Sequence, residues 1–423
     1  MSNLVIGYAG MTHLGLCSAV AAADKGLRVV CYDADRGRVD ALKNRRLHVN
    51  EPDLPELLAQ HAGRISFTTE PSDLAACAVV YIAPDVPTDD QGKSDLRPVD
   101  ALIDTVDAVL PHESVLVVLS QVPPGFSRSR LRAERPLYYQ VETLIFGRAM
   151  ERARFPERFI VGAASPEAPL AGPLAQFLAA FDCPILTMRY ESAELAKISI
   201  NMCLVASVAV ANTMAEVCES VGADWSEIVP ALKLDRRIGQ FSYLSPGLGI
   251  SGGNLERDLA TVLSLAHMHG TDGGVVDAWL ANSRHRKDWP WRVLQSNVLA
   301  ENPKARVAVL GLAYKENTHS TKNSPSLVLL SHLRKHDVVV HDPVVTPQAA
   351  GISFSAAASA LDAATNADAV CIMTPWPEFR ALDAKHLASR MRGPWLIDPY
   401  RVVDPTAARE HGLRQITLGV PAC

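Results

Sequence analysis

Short apolar runs and longer helical stretches alternate along this chain, in an order that predicts two α/β regions on either side of a helical one. Residues 4–6 (Leu-Val-Ile) read as a short buried strand, 7–10 as a glycine-punctuated turn, and 13–25 as an Ala-rich helix with Gly26 at its stop. A second strand covers 27–32 and ends at Asp33, and apolar runs at 79–83 and 115–119 follow with helical stretches between them. Such alternation implies a parallel sheet covered on both faces. Near residue 190 the pattern changes. Residues 191–221 contain neither Pro nor Gly, and a helix of that length needs a partner, so it is expected to connect domains and to form a dimer core. A Gly-rich segment at 246–253, a helical stretch from Leu255 and a Trp-rich patch at 288–291 ahead of the next helix come after it. The α/β pattern then returns: a strand at 306–310, a polar loop at 311–324, a helix at 325–335, a strand at 338–341 ending in Asp342-Pro343, and strands at 369–373 and 395–397.

The expected fold is therefore α/β: two Rossmann-like, doubly wound parallel-sheet domains joined by a central helical domain with one long helix. Its boundaries are placed at 1–190, 191–300 and 301–423. Lys+Arg 41 against Asp+Glu 46 gives a net charge of −5, which argues against a broad nucleic-acid footprint. The eight cysteines, Cys423 among them, never form a C-x-x-C pair, so neither a metal cluster nor a disulfide framework is expected. Reduced thiols and the lack of a basic leader before residue 4 point to the cytoplasm. The uncharged stretch 198–215 nears membrane-spanning length, but it carries Ser199, Asn201, Ser207, Asn212 and Thr213, and a buried helix is expected instead.

Candidate chemistry begins at the first turn. A pyrophosphate needs exposed backbone N–H groups with a helix N-terminus behind them. Gly7 and Gly10 suit the turn and Gly15 suits close helix–strand packing, with Ala9 standing where a middle glycine would. Asp33 closes the second strand, where a carboxylate accepts ribose hydroxyls and repels a 2′-phosphate; NAD is expected over NADP. In the middle, Lys197 and Asn201 share a helix face at i, i+4 and could hold a polarised oxygen or water, or could simply be a surface pair. Arg237 in 234–239 offers a guanidinium for hydroxyls or phosphate, or a salt-bridged loop. Residues 246–258 could be a backbone cradle or a flexible connection.

Taken in order, these blocks resemble the UDP-glucose/GDP-mannose 6-dehydrogenase family over essentially the whole chain. The likeness includes Gly7 to Gly15, Ser120-Gln121-Val122-Pro123, Glu142 with Leu144 and Gly147, Pro156-Glu157-Arg158, the helix from Ser192 to Asn201 and Asn212 to Asp224. It continues through Asp235 to Gly239, the glycine loop to Asp258, and Gly311-Leu312-Ala313-Tyr314-Lys315 with Ser324-Pro325. The resemblance implies an enzyme that binds NAD and a nucleotide sugar and oxidises a sugar C6 alcohol to a carboxylate in two hydride transfers. For NAD it implies Gly7, Gly10, His13, Gly15, Asp33, Arg38, Pro84, Ser120, Gln121 and Lys322, although neither His13 nor His319 has an assignable chemistry and both read as structural. For the nucleotide sugar it implies Glu142, Thr143, Leu144, Lys197, Asn201, Arg237, Tyr243, Gly249, Gly252, Gly253, Tyr314 and Lys315. In relatives the guanidinium matching Arg237 comes from a neighbouring subunit, so a homodimer or higher homo-oligomer is expected, with neither nucleic acid nor membrane as partner and no metal. Lys197, Asn201 and Asp258 are implied to surround the reacting oxygen, and Glu142 to assist the second step.

That second step normally uses a cysteine to capture the aldehyde as a thiohemiacetal. The family's loop reads G-G-S-C-F-P-K-D; here it is Gly252-Gly253-Asn254-Leu255-Glu256-Arg257-Asp258, which puts Asn254 in the cysteine slot. A carboxamide cannot form a thioester. The family's Thr in S-T-V-P is Gln121, the Thr of its V-G-T-P segment is Val86, and the Arg before its S-P pair is Lys322. The expected reaction is thus an NAD-dependent oxidation of a nucleotide-activated sugar that stops at the aldehyde. Alternatives are four-electron oxidation through the aldehyde hydrate with Glu142 as base, epimerase-like chemistry with retained NAD, and a non-catalytic nucleotide-sugar sensor.

Overall fold

Buried apolar runs pair laterally, and their partners fix where each strand begins and ends. The computed structural model describes residues 4–87, 89, 94–132 and 135–421, so Cys423 lies outside the described residues. The chain divides into two compact units, Met1–Ile200 and Asn201–Cys423.

In the first unit eight strands form one sheet: β1 (Val5–Ala9), β2 (Arg28–Tyr32), β3 (Ile65–Thr68), β4 (Val79–Ile82), β5 (Val115–Val118), β6 (Leu137–Gln140), β7 (Phe159–Ala163) and β8 (Ile185–Arg189), ordered β3-β2-β1-β4-β5-β6-β7-β8. All neighbours are parallel except β6 and β7. The helices are α1 (His13–Asp24), α2 (Arg36–Lys43), α3 (Leu54–Gln60), α4 (Arg97–Asp107), α5 (Phe126–Arg130), α6 (Ala149–Arg154) and α7 (Gly172–Ala179). Strand order reverses between β1 and β4, and ligands of open α/β sheets bind outside the strands' carboxyl ends at such a point. One expectation is corrected here. Gly7, Tyr8 and Ala9 belong to β1 rather than to the turn, because Gly7 lies at the sheet centre between Val30 and Val80. A Cβ on Gly7 would lie 2.9 Å from both Leu74 Cδ2 and Val80 Cγ2, so that glycine serves packing beneath the strand.

The long helix α8 (Tyr190–Val221) carries the boundary between the units. It is the one helix, among the described residues, long and apolar enough to cross a membrane by length and composition, and a third of its most apolar window is buried. Asn201, Val205, Ala211, Asn212, Ala215 and Cys218 are buried, while Val210, Met214, Val217 and Val221 are exposed. The buried helix expected from the sequence packs one face and leaves another exposed.

The second unit continues with α9 (Trp225–Leu234), α10 (Asn254–His269), α11 (Gly274–Lys287) and α12 (Trp289–Leu294). The Trp-rich patch is itself the first turn of α12, with Pro290 where its missing N–H costs nothing. A six-stranded, all-parallel sheet follows, built from β9 (Arg306–Leu310), β10 (Asp337–His341), β11 (Ser355–Ala356), β12 (Ala369–Ile372), β13 (Trp395–Ile397) and β14 (Arg414–Ile416) in the order β11-β10-β9-β12-β13-β14. Helix α13 (Pro325–His332) joins β9 to β10.

Candidate active site

The dinucleotide turn is built by the end of β1 and the start of α1. Because β1 runs through Ala9, the glycine pattern begins one strand-end later than the sequence suggested and reads Gly10-Met11-Thr12-His13-Leu14-Gly15. Thr12, not Ala9, stands in the middle-glycine position. Gly10 has φ +92°, and a Cβ on it would lie 2.8 Å from the backbone N of Pro84. On Gly15 a Cβ would lie 1.9 Å from the carbonyl oxygen of Gly10, so only glycine lets α1 begin directly under the turn. Ser120 is buried and donates to the carbonyl of Pro84 at 2.6 Å; it braces the Pro84 loop. Gln121 follows it, half-buried. Glu194, buried on α8, accepts from the backbone N–H groups of Gly125 and Ser127 and so fixes the start of α5 beyond that segment. Burial pushes the Glu194 carboxyl up, against the pull of those amides.

Asp33 ends β2 and is buried. It accepts from Met11 N at 2.8 Å, from Asp35 N at 2.9 Å and from the Arg38 guanidinium at 2.7 Å. The glycine turn, the helix start and this carboxylate with its half-exposed Arg38 are the groups that would hold a dinucleotide, and their chemistry fits one.

His13 contributes through two different groups. Its backbone N–H donates to Asp85 Oδ2 at 3.1 Å. Its ring lies 2.8 Å from Glu51 Oε1 and stacks on Phe146 with centroids 4.2 Å apart. Glu51 is buried and also accepts from the N–H groups of Gly147 and Ala149, which caps α6. The imidazole is therefore tied to the loop that follows Glu142. Sequence reasoning missed Glu51, Asp85, Thr12 and Glu194. Asp85 had a usable signal, since it follows β4 at the sheet's switch point; Glu51 had none, because its partners lie up to 98 residues away.

Glu142 leaves β6 two residues beyond the strand. It accepts from Leu144 N at 2.5 Å and pairs with Lys197 Nζ at 3.2 Å. Glu142, Thr143 and Leu144 line a small cleft of about 50 Å³ together with Tyr8, Leu14 and Phe177. In the second unit, Asn201 Nδ2 donates to Asp258 Oδ2 at 2.5 Å, and Arg257 Nε lies 3.3 Å from the other oxygen; all three residues are buried. Lys197 thus shares an ion pair with Glu142, and Asn201 shares a hydrogen bond with Asp258.

Asn254 opens α10, exposed, one turn before Asp258. The loop ahead of it is packed from several directions. Gly249 lies against Ser283, where a Cβ would be 2.4 Å from a carbonyl oxygen, and Gly252 lies against the Tyr314 ring. Gly252 N donates to the Lys322 carbonyl at 3.0 Å, Asn323 Nδ2 donates to the Gly252 carbonyl at 3.1 Å, and the Lys322 side chain runs past Gly253. Gly252, Gly253, Tyr314 and Lys322 are thereby brought together, with the Lys315 ammonium 5.8 Å from the Tyr314 ring centre. Arg237 and Tyr243 are not part of that cluster: both are exposed, and Arg237 forks onto Asp235 at 3.0 and 2.6 Å.

The described cysteines are free. Burial raises the thiols of Cys17, Cys31, Cys371 and Cys77, the last to about 12, so they stay protonated and inert. Cys203 is exposed on α8, but it sits two residues from Asn201, roughly 200° around the helix.

Three stretches match models of one family, the UDP-glucose/GDP-mannose dehydrogenases: residues 4–171 its NAD binding domain, 191–284 its central domain and 308–405 its UDP binding domain. The chain is 30% identical to the UDP-glucose 6-dehydrogenase of Rhizobium meliloti (strain 1021), covering 97% of this chain and 98% of that one. It is 28% identical to UDP-glucose 6-dehydrogenase TuaD of Bacillus subtilis (strain 168), over 99% and 93%. Among solved structures, a UDP-glucose dehydrogenase from Pyrobaculum islandicum superimposes with a TM-score of 0.83 at 27% identity, over 99% and 98% of the two chains. A UDP-D-ManNAc dehydrogenase from Pyrococcus horikoshii, at 24% identity and a TM-score of 0.84 over 99% and 100%, shares the fold.

Proposed function

Because this chain belongs to the UDP-glucose/GDP-mannose dehydrogenase family and carries its NAD binding domain, we propose that it oxidises the primary alcohol of a nucleotide-activated sugar and stops at the aldehyde. One observation carries the second half of that reading. Asn254 opens α10 where the resemblance calls for a cysteine, and no cysteine occurs in 246–258.

In this reading the hydroxyl proton leaves toward Asp258 through a water while the C6–H bond breaks and its electron pair departs as hydride. Bound NAD supplies the hydride acceptor. Asp258 is suited to receive a proton because Asn201 and Arg257 fix its orientation and burial keeps bulk water from competing for it. Lys197 supplies a positive charge for developing alkoxide character, and Glu142 aims it through their ion pair. The product is a carbonyl. Carrying it to the acid by the family's route would need a covalent adduct that expels hydride and then yields to water, and an amide nitrogen forms none.

NADH should appear once per sugar consumed when the protein is given NAD with UDP-, GDP- or CMP-sugars, and an aldehyde should be trapped by hydroxylamine. Two NADH per sugar and a carboxylate product would refute the reading.

We also propose that the working form is a homodimer or larger homo-oligomer. Val210, Met214, Val217 and Val221 are exposed at spacings of four, three and four on α8, a continuous apolar stripe that water should not face in the assembled protein. Light scattering behind a sizing column should give at least twice 45.7 kDa for the native chain and the monomer mass for the variant V217D/V221D. A monomeric native chain would defeat the proposal.

A further inference from the structure

We infer that Asp85 sets the affinity of the dinucleotide site, because its carboxylate holds the amide at the start of α1 that a dinucleotide's diphosphate must engage. The inference rests on NAD binding by the first unit and is independent of where the sugar oxidation stops.

Amides at a helix N-terminus have no partner within the helix and carry partial positive charge, so they draw an anion. Here a side chain of the same chain answers that demand. His13 N donates to Asp85 Oδ2 at 3.1 Å. The contact is held in place by a second one, since Asp85 N donates to Thr12 Oγ1 at 2.8 Å and the same hydroxyl donates to the Ala83 carbonyl at 3.4 Å. Thr12 is consequently turned toward the Asp85 loop and forms no side-chain cap on α1. On the other side of the turn, Met11 N is bonded to Asp33. Two carboxylates therefore converge on a turn built to receive an anion.

The family pattern sharpens the point. With Val86 in the Thr position of V-G-T-P, the residue one step back, Asp85, stands where that segment has a glycine. A glycine leaves the helix start bare, whereas Asp85 places a negative charge on it. A bound diphosphate must break the bond between Asp85 and His13 N and then tolerate the displaced carboxylate nearby. Both terms weaken binding and favour release, which suits an enzyme that exchanges NAD at every turnover and not one that retains it.

Calorimetric titration of NAD into the full-length chain and its D85N, D85G and D33N variants tests this, with thermal melting as a check on folding. D85N and D85G should each tighten the Kd about tenfold, the scale of one charge at a helix terminus. D33N should weaken it. The gap between native protein and D85N should narrow as salt rises from about 50 mM to about 500 mM, because the repulsion is screened. Unchanged or weaker binding by both Asp85 variants, with D33N weakened and melting preserved, would overturn the inference alone. Unaltered binding by D33N would overturn it together with the placement of the cofactor at this turn.

Discussion

Gly10 in the first unit and Gly311 in the second sit at the same place in two similar sheets, and the chain leaves them in different ways. Each follows the central strand with a positive φ, +92° and +98°. Each donates its N–H to the last carbonyl of the neighbouring strand, Gly10 to Tyr32 at 2.9 Å and Gly311 to His341 at 2.7 Å. The next residue then donates to the aspartate that closes that strand, Met11 to Asp33 at 2.8 Å and Leu312 to Asp342 at 2.6 Å. Beyond this point they diverge. Three residues after Gly10 a helix begins, so the turn aims a helix N-terminus. After Gly311 the next helix starts only at Pro325, and the intervening loop carries Tyr314, Lys315 and Lys322.

The aspartates diverge too. Asp33 shares its carboxylate with a side chain, Arg38, that can move away. Asp342 is saturated by the backbone N–H groups of Leu312, Ala313, Val344 and Val345 and by the Trp376 indole. A glycine turn followed by a strand-closing aspartate is thus a way of joining strands. It becomes a dinucleotide site only when a helix starts at once and the carboxylate keeps a replaceable partner.

The strongest way to break this comparison is to fill the glycines. G15A puts a methyl group 1.9 Å from the Gly10 carbonyl, and NAD affinity should fall at least about a hundredfold in titration, some 2.7 kcal/mol. G311A meets Thr374 at 2.5 Å in a left-handed backbone; it should cost about 2–4 kcal/mol in denaturant unfolding and leave the NAD Kd unchanged. Equal damage to NAD binding by both would end the distinction. A finer test exchanges the carboxylates for amides. D33N should weaken NAD about tenfold with little loss of stability, while D342N should lose about 1–3 kcal/mol of stability with NAD binding intact. If D342N weakened NAD as D33N does, the two aspartates would share a role after all.

Much of this architecture was legible in the pattern of apolar residues. The strands at 306–310 and 395–397 match their observed limits, and Gly26, at φ +89°, ends α1 as its position suggested. β3, β8, β11 and β14 escaped notice because they are short or half-exposed, without the apolar runs that mark β4 and β5, whereas β7, Phe-Ile-Val-Gly-Ala and buried throughout, was passed over although it carries such a run. The strand–turn boundary at Gly7 was misread for a physical reason: a glycine inside a strand and a glycine in a turn look alike until Leu74 and Val80 are known to press on it. In the candidate site, the i, i+4 spacing pointed to Lys197 and Asn201, but their separate carboxylate partners could not be read from spacing. Contacts such as Glu51 to Gly147 depend on chain folding over long separations, and no local pattern announces them.

The buried Glu51 has a practical consequence for anyone wishing to alter cofactor preference. One carboxylate clasps both the first residue of α1 and the loop downstream of Glu142. Redesigning the nucleotide-facing segment therefore tugs on the strand exit that carries Glu142, and a change made for the redox partner will be felt by whatever Lys197 and Glu142 hold.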